Sequence, residues 1–222
     1  MVRSNLTRLV LAGALTLMAA CSAADQSVAP LAKQTRPFGA PSPDVIMDFV
    51  APDSLSVDFT VTPSGGMFVL GKHAVFFPDH GICDPATSSY GPGEWDAPCT
   101  PLEEPIQFHA EVRGSPNGET WVDFTPAVRF VPTDDPNRTV WMMMKVGVDV
   151  DAENYQGFAM LWTPNSNTDE VVNEAASDSS LKTYIDLQRD VVFRRVKHFS
   201  GYLVGSTLEG SEEILADIVP LY

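Results

Sequence analysis

Basic residues are scarce in this sequence, and their scarcity limits the partners that the protein can bind. The 222 residues include 14 Lys and Arg against 29 Asp and Glu, which gives a formal net charge of −15 at pH 7. An acidic surface repels a phosphate backbone, so we expect no nucleic acid partner. The same charge also keeps a protein soluble, and this simpler explanation of the composition is sufficient.

The sequence also lacks the motifs of common enzyme classes. It contains no Gly-x-Ser-x-Gly nucleophile elbow, no His-Glu-x-x-His zinc motif and no phosphate-cradling glycine loop. The four histidines show no paired metal-ligand spacing. The lack of a motif does not exclude an enzyme, but it favours a non-catalytic protein without a cofactor.

The apolar run at the N-terminus is too short to cross a bilayer as a helix. It covers Leu9–Ala20 and follows Arg3 and Arg8, so residues 1–20 are predicted to be a secretory signal peptide. The segment Leu17–Cys21 resembles the bacterial lipobox, in which a lipid is attached to the cysteine and the chain is cut before it. The alternative is an ordinary signal peptide followed by an incidental cysteine.

Lipidation of Cys21 places the protein in the envelope of a bacterial cell, after export across the inner membrane. Two or more acyl chains are enough for stable membrane attachment. Ser22, rather than Asp, follows the cysteine, and this resembles the pattern sent on to the outer membrane in a Gram-negative cell. The expected partners are therefore the membrane, through the lipid anchor, and another envelope protein or a glycan.

Cysteine is otherwise limited to Cys83 and Cys99. An even number of cysteines in an oxidising compartment favours a disulfide. Closing a loop of this size stabilises a fold by roughly 3 kcal/mol in the chain-entropy model. A metal pair is the alternative, but no histidine or cysteine partners lie nearby at ligand spacing.

Alternation of apolar and polar residues begins at Leu55–Val61 and predicts a half-buried strand there. Further short strands separated by Pro, Gly, Asn and Asp indicate an all-β fold, a single antiparallel β-sandwich. The predicted strands are Ile106–Val112, Glu119–Phe124, Ala127–Val131, Thr139–Val146, Gly157–Trp162, Thr183–Leu187, Val191–Lys197 and Gly201–Ser206. A helical turn or two is predicted only in Thr168–Ala176 and Ser211–Asp217. Within Thr139–Val146, Met142 and Met144 are expected in the core and Met143 in a gap under a loop.

The predicted domain organisation has four parts. They are the signal peptide 1–20, the lipidated cysteine and flexible tether 21–53, the β-sandwich 54–208 and a C-terminal tail 209–222 with a short helix. Five prolines between positions 30 and 52 keep the tether extended. A first edge strand over Val45–Val50 is the one element expected within it.

Three short motifs follow one another along the chain: a glycine turn followed by a strand that ends in proline (Ser64–Pro78), a strand bounded by prolines (Phe124–Pro132) and a closing strand with His-Phe-Ser (Val196–Val204). In this order they resemble the ZU-five-type domain, which is the β-sandwich of ankyrins and netrin receptors and also occurs in bacterial envelope proteins. The resemblance spans about residues 55–206. It implies a scaffold, assembly or adhesion role. The long Asp79–Pro101 loop departs from the compact turn of that family.

The triplet His198-Phe199-Ser200 resembles the site at which some ZU-five-containing proteins cut their own backbone. That resemblance implies attack by the Ser200 hydroxyl on the Phe199 carbonyl, with His198 as general base and a tight turn before Gly201 as a source of strain. No acidic partner for His198 can be named from the sequence. The alternative is an ordinary strand in which Phe199 packs inward and its two neighbours face the other side.

The loop between the cysteines carries Tyr90, Glu94, Trp95 and Asp96. Aromatic and acidic side chains on a pinned loop can stack a sugar or hold a partner peptide, so these residues are a candidate binding site. A carbohydrate-binding module would use Trp95 and Tyr90, or Trp121. The alternative is that Trp95 folds back to cover the end of the sandwich.

Asp149, Asp151 and Glu153 alternate along the chain and are weak candidates for a calcium site. The glycine that gives an EF-hand loop its sharp turn is missing. Solvated carboxylates at a strand end are therefore the favoured interpretation.

Overall fold

The structure is a computed structural model, and it describes residues 39–42, 54–114, 119–164, 170–204 and 218–221. These residues form eleven strands. They are β1 (Ser54–Val61), β2 (Gly66–Leu70), β3 (His73–Phe77), β4 (Ile106–Gly114), β5 (Thr120–Arg129), β6 (Val140–Lys145), β7 (Met160–Thr163), β8 (Thr183–Asp186), β9 (Val191–Val196), β10 (His198–Val204) and β11 (Ile218–Leu221).

The strands form two sheets, so the predicted all-β sandwich is confirmed. The first sheet has the order β1-β4-β5-β10-β7 and is antiparallel throughout. The second has the order β11-β8-β9-β6-β3-β2, and it is antiparallel except for β11, which runs parallel to β8. Consecutive strands β9 and β10 lie in different sheets, and the short connection between them passes along one end of the sandwich.

Aromatic rings fill the space between the two sheets. Phe77 of β3 lies 5.9 Å from Phe108 of β4 and 5.5 Å from Phe199 of β10, measured between ring centroids. Phe199 is fully buried and stacks on Phe124 at 3.9 Å. Each such pair contributes about 0.5–1.5 kcal/mol beyond the burial of its area. Phe199 therefore ties β10 to both sheets, which holds the backbone on either side of it in place.

The second sheet is buried on its outer face as well. Met142 and Met144 face the main core, as predicted, but Met143 does not lie under a loop. It is fully buried in a second apolar cluster on the outer face, with Ala74, Trp141, Val191, Phe193 and Leu221. Strands covered on both faces carry nearly continuous apolar runs, and this explains the sequence Val-Trp-Met-Met-Met of β6.

The two strands predicted around Pro126 are one strand, β5, which corrects that prediction. The strand pairs with β4 as far as Thr125 and with β10 again from Val128 onward. Pro126 lies between these two sets of pairs and has no partner in either register. A residue without an N–H group is tolerated at such a position.

The sandwich also extends beyond the predicted boundary at residue 208. Residues 218–221 form β11, which pairs with β8, because a short apolar segment can complete a sheet edge far from its sequence neighbours.

Helical structure in 170–176 is limited to one 3-10 turn, Glu174–Ala176. Cys21, the tether, Val45–Val50 and Ser211–Asp217 lie outside the described residues, apart from 39–42 of the tether. No helix in the described ranges is long and apolar enough to cross a membrane.

Burial of His73 gives the fold a predicted sensitivity to acid. The ring is almost fully buried, and its Nδ1 accepts a hydrogen bond from the backbone N–H of Lys145 at 3.2 Å. Burial, together with the charge of Lys72, lowers the pKa of His73 to about 3. Above pH 6.5 the ring is neutral in both the folded and the unfolded chain, and burial carries no cost of deprotonation. As the pH falls from 6.5 toward 3 the unfolded chain binds a proton that the folded chain does not, so the free energy of unfolding decreases.

We expect His73→Gln to remove part of this acid sensitivity. Between pH 7.5 and pH 5 the free energy of unfolding of the parent should fall by about 2 kcal/mol more than that of the variant. Urea unfolding at the two pH values measures this difference. His109→Gln, which replaces an exposed histidine, serves as the control and should keep the acid sensitivity that comes from His73. Equal acid sensitivity in the parent and in His73→Gln would show that His73 does not titrate as described.

Candidate functional site

The predicted disulfide is confirmed. Cys83 and Cys99 are joined, with their Cα atoms 5.6 Å apart and a sequence separation of 16. Cys83 also pairs through its backbone with Arg129 of β5, since its N–H donates to the Arg129 carbonyl at 3.0 Å. The loop between the cysteines, residues 84–98, is therefore anchored at its base; we call it the disulfide loop.

The guanidinium of Arg129 holds this loop against the sandwich. The side chain is buried, and it donates hydrogen bonds to four main-chain carbonyls of the loop: Ser89 at 2.9 Å, Glu94 at 3.0 Å, Ala97 at 2.5 Å and Pro98 at 3.2 Å. Hydrogen bonds from a charged donor are about twice as strong as neutral ones. The loop is therefore fixed by one side chain that the sequence did not single out, because Arg129 lies 31 to 40 residues away from the carbonyls that it holds.

Trp95 folds back over the end of the sandwich, as the alternative interpretation expected. Only 8% of its surface is exposed, and its ring stacks on the ring of His198 with centroids 4.0 Å apart. Tyr90 meets the edge of Trp95 at 4.8 Å and remains 41% exposed. Asp96 pairs with Lys197 at 2.5 Å, and the carbonyl of Glu94 accepts a hydrogen bond from Arg129. The four loop residues therefore share a location but do not form an open aromatic surface.

His198 has an acidic partner that sequence reasoning missed. Its Nε2 lies 2.8 Å from Oε1 of Glu174, and the other oxygen of that carboxylate accepts from the Arg194 guanidinium at 2.6 Å. All three side chains are buried. Glu174 belongs to the 3-10 turn Glu174–Ala176, 24 residues before His198, and its sequence position gave no signal of this contact.

The electrostatics of this buried group favour an ionised carboxylate. Burial alone would raise the pKa of Glu174, but the hydrogen bond with His198 and the charge of Arg194 outweigh it and hold the pKa below its ordinary value. An ionised carboxylate only accepts hydrogen bonds, so Nε2 of His198 carries a proton. The other ring nitrogen, Nδ1, is buried and has no hydrogen-bond partner in the described part of the chain.

Two tyrosine hydroxyls bond the backbone around Phe199. The Tyr90 hydroxyl donates to the Phe199 carbonyl at 2.8 Å, and the Tyr202 hydroxyl donates to the His198 carbonyl at 2.8 Å. Burial raises the pKa of both tyrosines, so both hydroxyls stay protonated at neutral pH. The Phe199 carbonyl, which is the predicted point of attack in the His-Phe-Ser motif, thus accepts a hydrogen bond from the neutral hydroxyl of Tyr90.

Ser200 faces the aromatic residues around His198. Its Oγ accepts a hydrogen bond from the indole N–H of Trp162 at 2.8 Å. The expected tight turn before Gly201 is absent: His198–Val204 is a continuous strand with a β-bulge between Phe199 and Gly201. A side chain at position 201 would overlap Thr163 and Asp123, so the neighbouring strands approach too closely for any residue other than glycine.

The remaining candidate residues are not brought together. Asp149, Asp151 and Glu153 are exposed, and the Asp151 carboxylate accepts from the backbone N–H groups of Glu153 and Asn154 at 2.8 and 3.0 Å. Within the described ranges no group of three His, Cys, Asp or Glu side chains is placed to hold a metal ion. Trp121 lies near the far end of β5, about 26 Å along the strand from Arg129. It therefore cannot join Trp95 in one flat aromatic strip.

Comparison with known proteins gives no relative from which a function could be transferred. No family model, no curated protein and no solved structure matches this chain. The resemblance to the ZU-five-type domain therefore stays a prediction.

Proposed function

We propose that the protein is a non-catalytic binding module, anchored in the bacterial envelope through Cys21, that pairs with another envelope protein at the free edges of its two sheets. The observation that carries this proposal is the state of strands β1 and β2. Within the described residues β1 pairs only with β4, and β2 pairs only with β3. Each strand therefore has one row of backbone N–H and C=O groups that pairs with no other described strand.

The two free edges lie side by side. The turn Thr62–Gly65 connects β1 directly to β2, and the rings of Phe59 and Phe68 meet across the gap between the sheets at 5.1 Å. Val69 on β2 is 43% exposed, the largest exposure among the exposed large apolar residues of the described chain. A partner strand can add to such an edge through main-chain hydrogen bonds and cover an exposed apolar side chain at the same time.

The disulfide loop supports a protein partner over a glycan stacked on aromatic rings. A sugar platform needs an exposed flat face, whereas one face of Trp95 lies against His198 and little of its surface is open. Tyr90 is fixed edge-on to Trp95 by the bond of its hydroxyl to the Phe199 carbonyl. Carbohydrate binding by a strip of Trp95, Tyr90 and Trp121 is therefore the less favoured function.

Substitution at the free edge tests the proposed partner surface. We expect Val69→Lys to reduce capture of the partner from detergent-solubilised envelopes by about tenfold or more, because a lysine on an edge strand opposes strand addition. Val148→Lys is the matched control, since Val148 is 37% exposed and lies outside both edge strands. Quantitative mass spectrometry of the captured proteins gives the ratio. Equal capture by both variants would rule out the edge as the binding surface.

Substitution of Cys21 tests the lipid anchor. Cys21→Ala removes the thiol that would carry the lipid, so the variant should leave the membrane fraction or accumulate with its signal peptide uncut. Immunoblotting of separated membrane and soluble fractions measures the distribution. Normal cleavage together with normal membrane retention would contradict anchoring at this residue.

A second candidate function is self-cleavage between Phe199 and Ser200, and two contacts support it: the bond of Tyr90 to the Phe199 carbonyl and the bond of Glu174 to His198. The Ser200 Oγ would attack that carbonyl carbon and pass its proton to Nδ1 of His198, while Glu174 holds Nε2. The Tyr90 hydroxyl would stabilise the negative oxygen that forms. The C–N bond to Ser200 then breaks, the serine nitrogen takes the proton, and water hydrolyses the resulting ester to a free carboxylate and a serine N-terminus.

Intact mass measurement of freshly purified protein separates the two candidates. Self-cleavage predicts a fragment that begins at Ser200, its loss in Ser200→Ala and a slower cleavage in Tyr90→Phe. The Tyr90→Phe change is well controlled, because it removes only the hydroxyl and keeps the ring beside Trp95. A single uncleaved species in the parent protein, stable over days, would eliminate self-cleavage and leave His198, Glu174 and Tyr90 as structural residues.

A further inference from the structure

A cleft of about 380 Å³ opens beside the disulfide loop, at the end of the sandwich where β9 leads into β10. Five parts of the chain line it: residues 130–134 after β5, residues 139 and 140 at the start of β6, residues 195–197 at the end of β9, residues 178, 180 and 181, and the loop residues Trp95 and Asp96. Small-molecule sites in proteins have volumes of roughly 300–1,000 Å³, so the cleft is large enough for a small ligand.

Arg195 is the cation in this cleft that lacks an ionic partner. Its guanidinium lies over the ring of Trp141 at 5.7 Å, and no carboxylate of the described chain lies within ion-pair distance. The indole of Trp141 is itself fixed by a hydrogen bond to the Pro136 carbonyl at 3.1 Å. The other cation, Lys197, is already paired with Asp96 and Asp178, each at 2.5 Å. A ligand carboxylate would therefore meet Arg195 and not Lys197.

The charges of the lining residues favour a ligand with a single negative charge over a ligand with two. Two cations, Arg195 and Lys197, face three carboxylates, those of Asp96, Asp134 and Asp178. A dianionic phosphate would be repelled by this excess of negative charge, whereas a single carboxylate can form a two-pronged pair with the planar guanidinium.

Hydroxyl groups complete the lining. The Ser180 and Thr133 hydroxyls can both donate to a ligand, although Thr133 already accepts from the Asp135 N–H at 3.1 Å. The Thr139 hydroxyl donates to the Asp135 carbonyl at 2.9 Å and can only accept from a ligand, as can the Asp134 carboxylate. A ligand that carries several hydroxyls can use these remaining donors and acceptors, whereas an apolar ligand would leave them unused at a cost in free energy.

Backbone groups along the cleft are already paired, and this argues against an extended peptide. Val140 pairs with Val196 in the sheet, the Phe130 N–H donates to the Lys197 carbonyl at 2.8 Å, and the Val131 N–H donates to the Gly81 carbonyl at 3.0 Å. A peptide strand would find no free edge there. No residue of β1 or β2 lines the cleft, so this site is separate from the edges proposed to bind the protein partner.

We propose that the cleft binds a carboxylated sugar, a hexuronate unit of an acidic glycan, with Arg195 pairing with the carboxylate and with Asp134, Thr133 and Ser180 bonding the ring hydroxyls. The carboxylate supplies the charge that Arg195 lacks, and the hydroxyls match the polar lining. This recognition relies on hydrogen bonds and charge, and it needs no exposed aromatic platform.

Titration of the purified full-length protein in detergent, with its disulfide intact, tests the site. The probes are D-glucuronate, D-glucose and D-glucose 6-phosphate, followed by NMR chemical-shift changes. Glucuronate should bind saturably, and glucose and glucose 6-phosphate should bind at least about tenfold more weakly. Arg195→Gln should weaken glucuronate binding by at least about tenfold, whereas Arg138→Gln, which replaces an arginine outside the lining, should leave it unchanged.

Several outcomes would overturn the proposal. They are absence of saturable glucuronate binding, equal affinity for glucose, tighter binding of the phosphate, or unchanged binding by Arg195→Gln. Tighter binding of a short acidic peptide than of glucuronate would assign the cleft to a protein partner instead. If thermal melting shows that Arg195→Gln is unfolded, Ser180→Ala replaces it, with an expected loss of about threefold in affinity, and an unchanged affinity would count against the site.

Discussion

The arrangement of the candidate sites depends on the hydrogen bonds that the Arg129 guanidinium donates to the disulfide loop. One buried guanidinium, at the end of β5, donates four hydrogen bonds to carbonyls of the disulfide loop. The disulfide closes the loop, but it does not by itself decide where the loop lies. With the loop held by Arg129, Trp95 covers His198, Tyr90 reaches the Phe199 carbonyl, and Asp96 lies beside the cleft.

A second buried group connects the two sheets beneath that loop. Glu174 accepts from Arg194 of the second sheet and from His198 of the first. Removing one partner of such a group leaves an uncompensated buried charge, which typically costs about 3–5 kcal/mol. The same constellation therefore has a sufficient structural explanation, and it is also the group that the proposed self-cleavage at Ser200 would use. The two explanations differ in one observable, the presence of a cut chain.

The sequence predicted those parts of the fold that follow from the order of neighbouring residues or from composition. Alternation identified β1 and the inward side of Met142 and Met144, and the cysteine count in an oxidising compartment identified the disulfide. The parts that failed depend on distant partners. Nothing within β11 indicates that it pairs with β8, and the single strand through Pro126 follows from two partners that change along its length.

In the candidate site, too, the local features could be predicted from the sequence and the contacts between distant residues could not. The motif His-Phe-Ser and the aromatic loop were recognised as separate features, and their contact was not, because it is made by Arg129 and Glu174 at unrelated positions in the sequence. The cleft beside Arg195 could not be predicted either. It is formed by five segments that meet only in the folded chain, and the lack of an ion pair at Arg195 within the described residues becomes apparent only when Asp96 and Asp178 have been assigned to Lys197.

Hydrogen–deuterium exchange of the backbone amides tests most directly whether the free sheet edges are the binding surface. The purified protein is compared alone and in the presence of a detergent extract of its own envelope. The account predicts that the amides of β1 and β2 exchange more slowly in the extract, while those of the disulfide loop exchange at the same rate in both. Unchanged exchange in β1 and β2, with new protection confined to the disulfide loop, would contradict it.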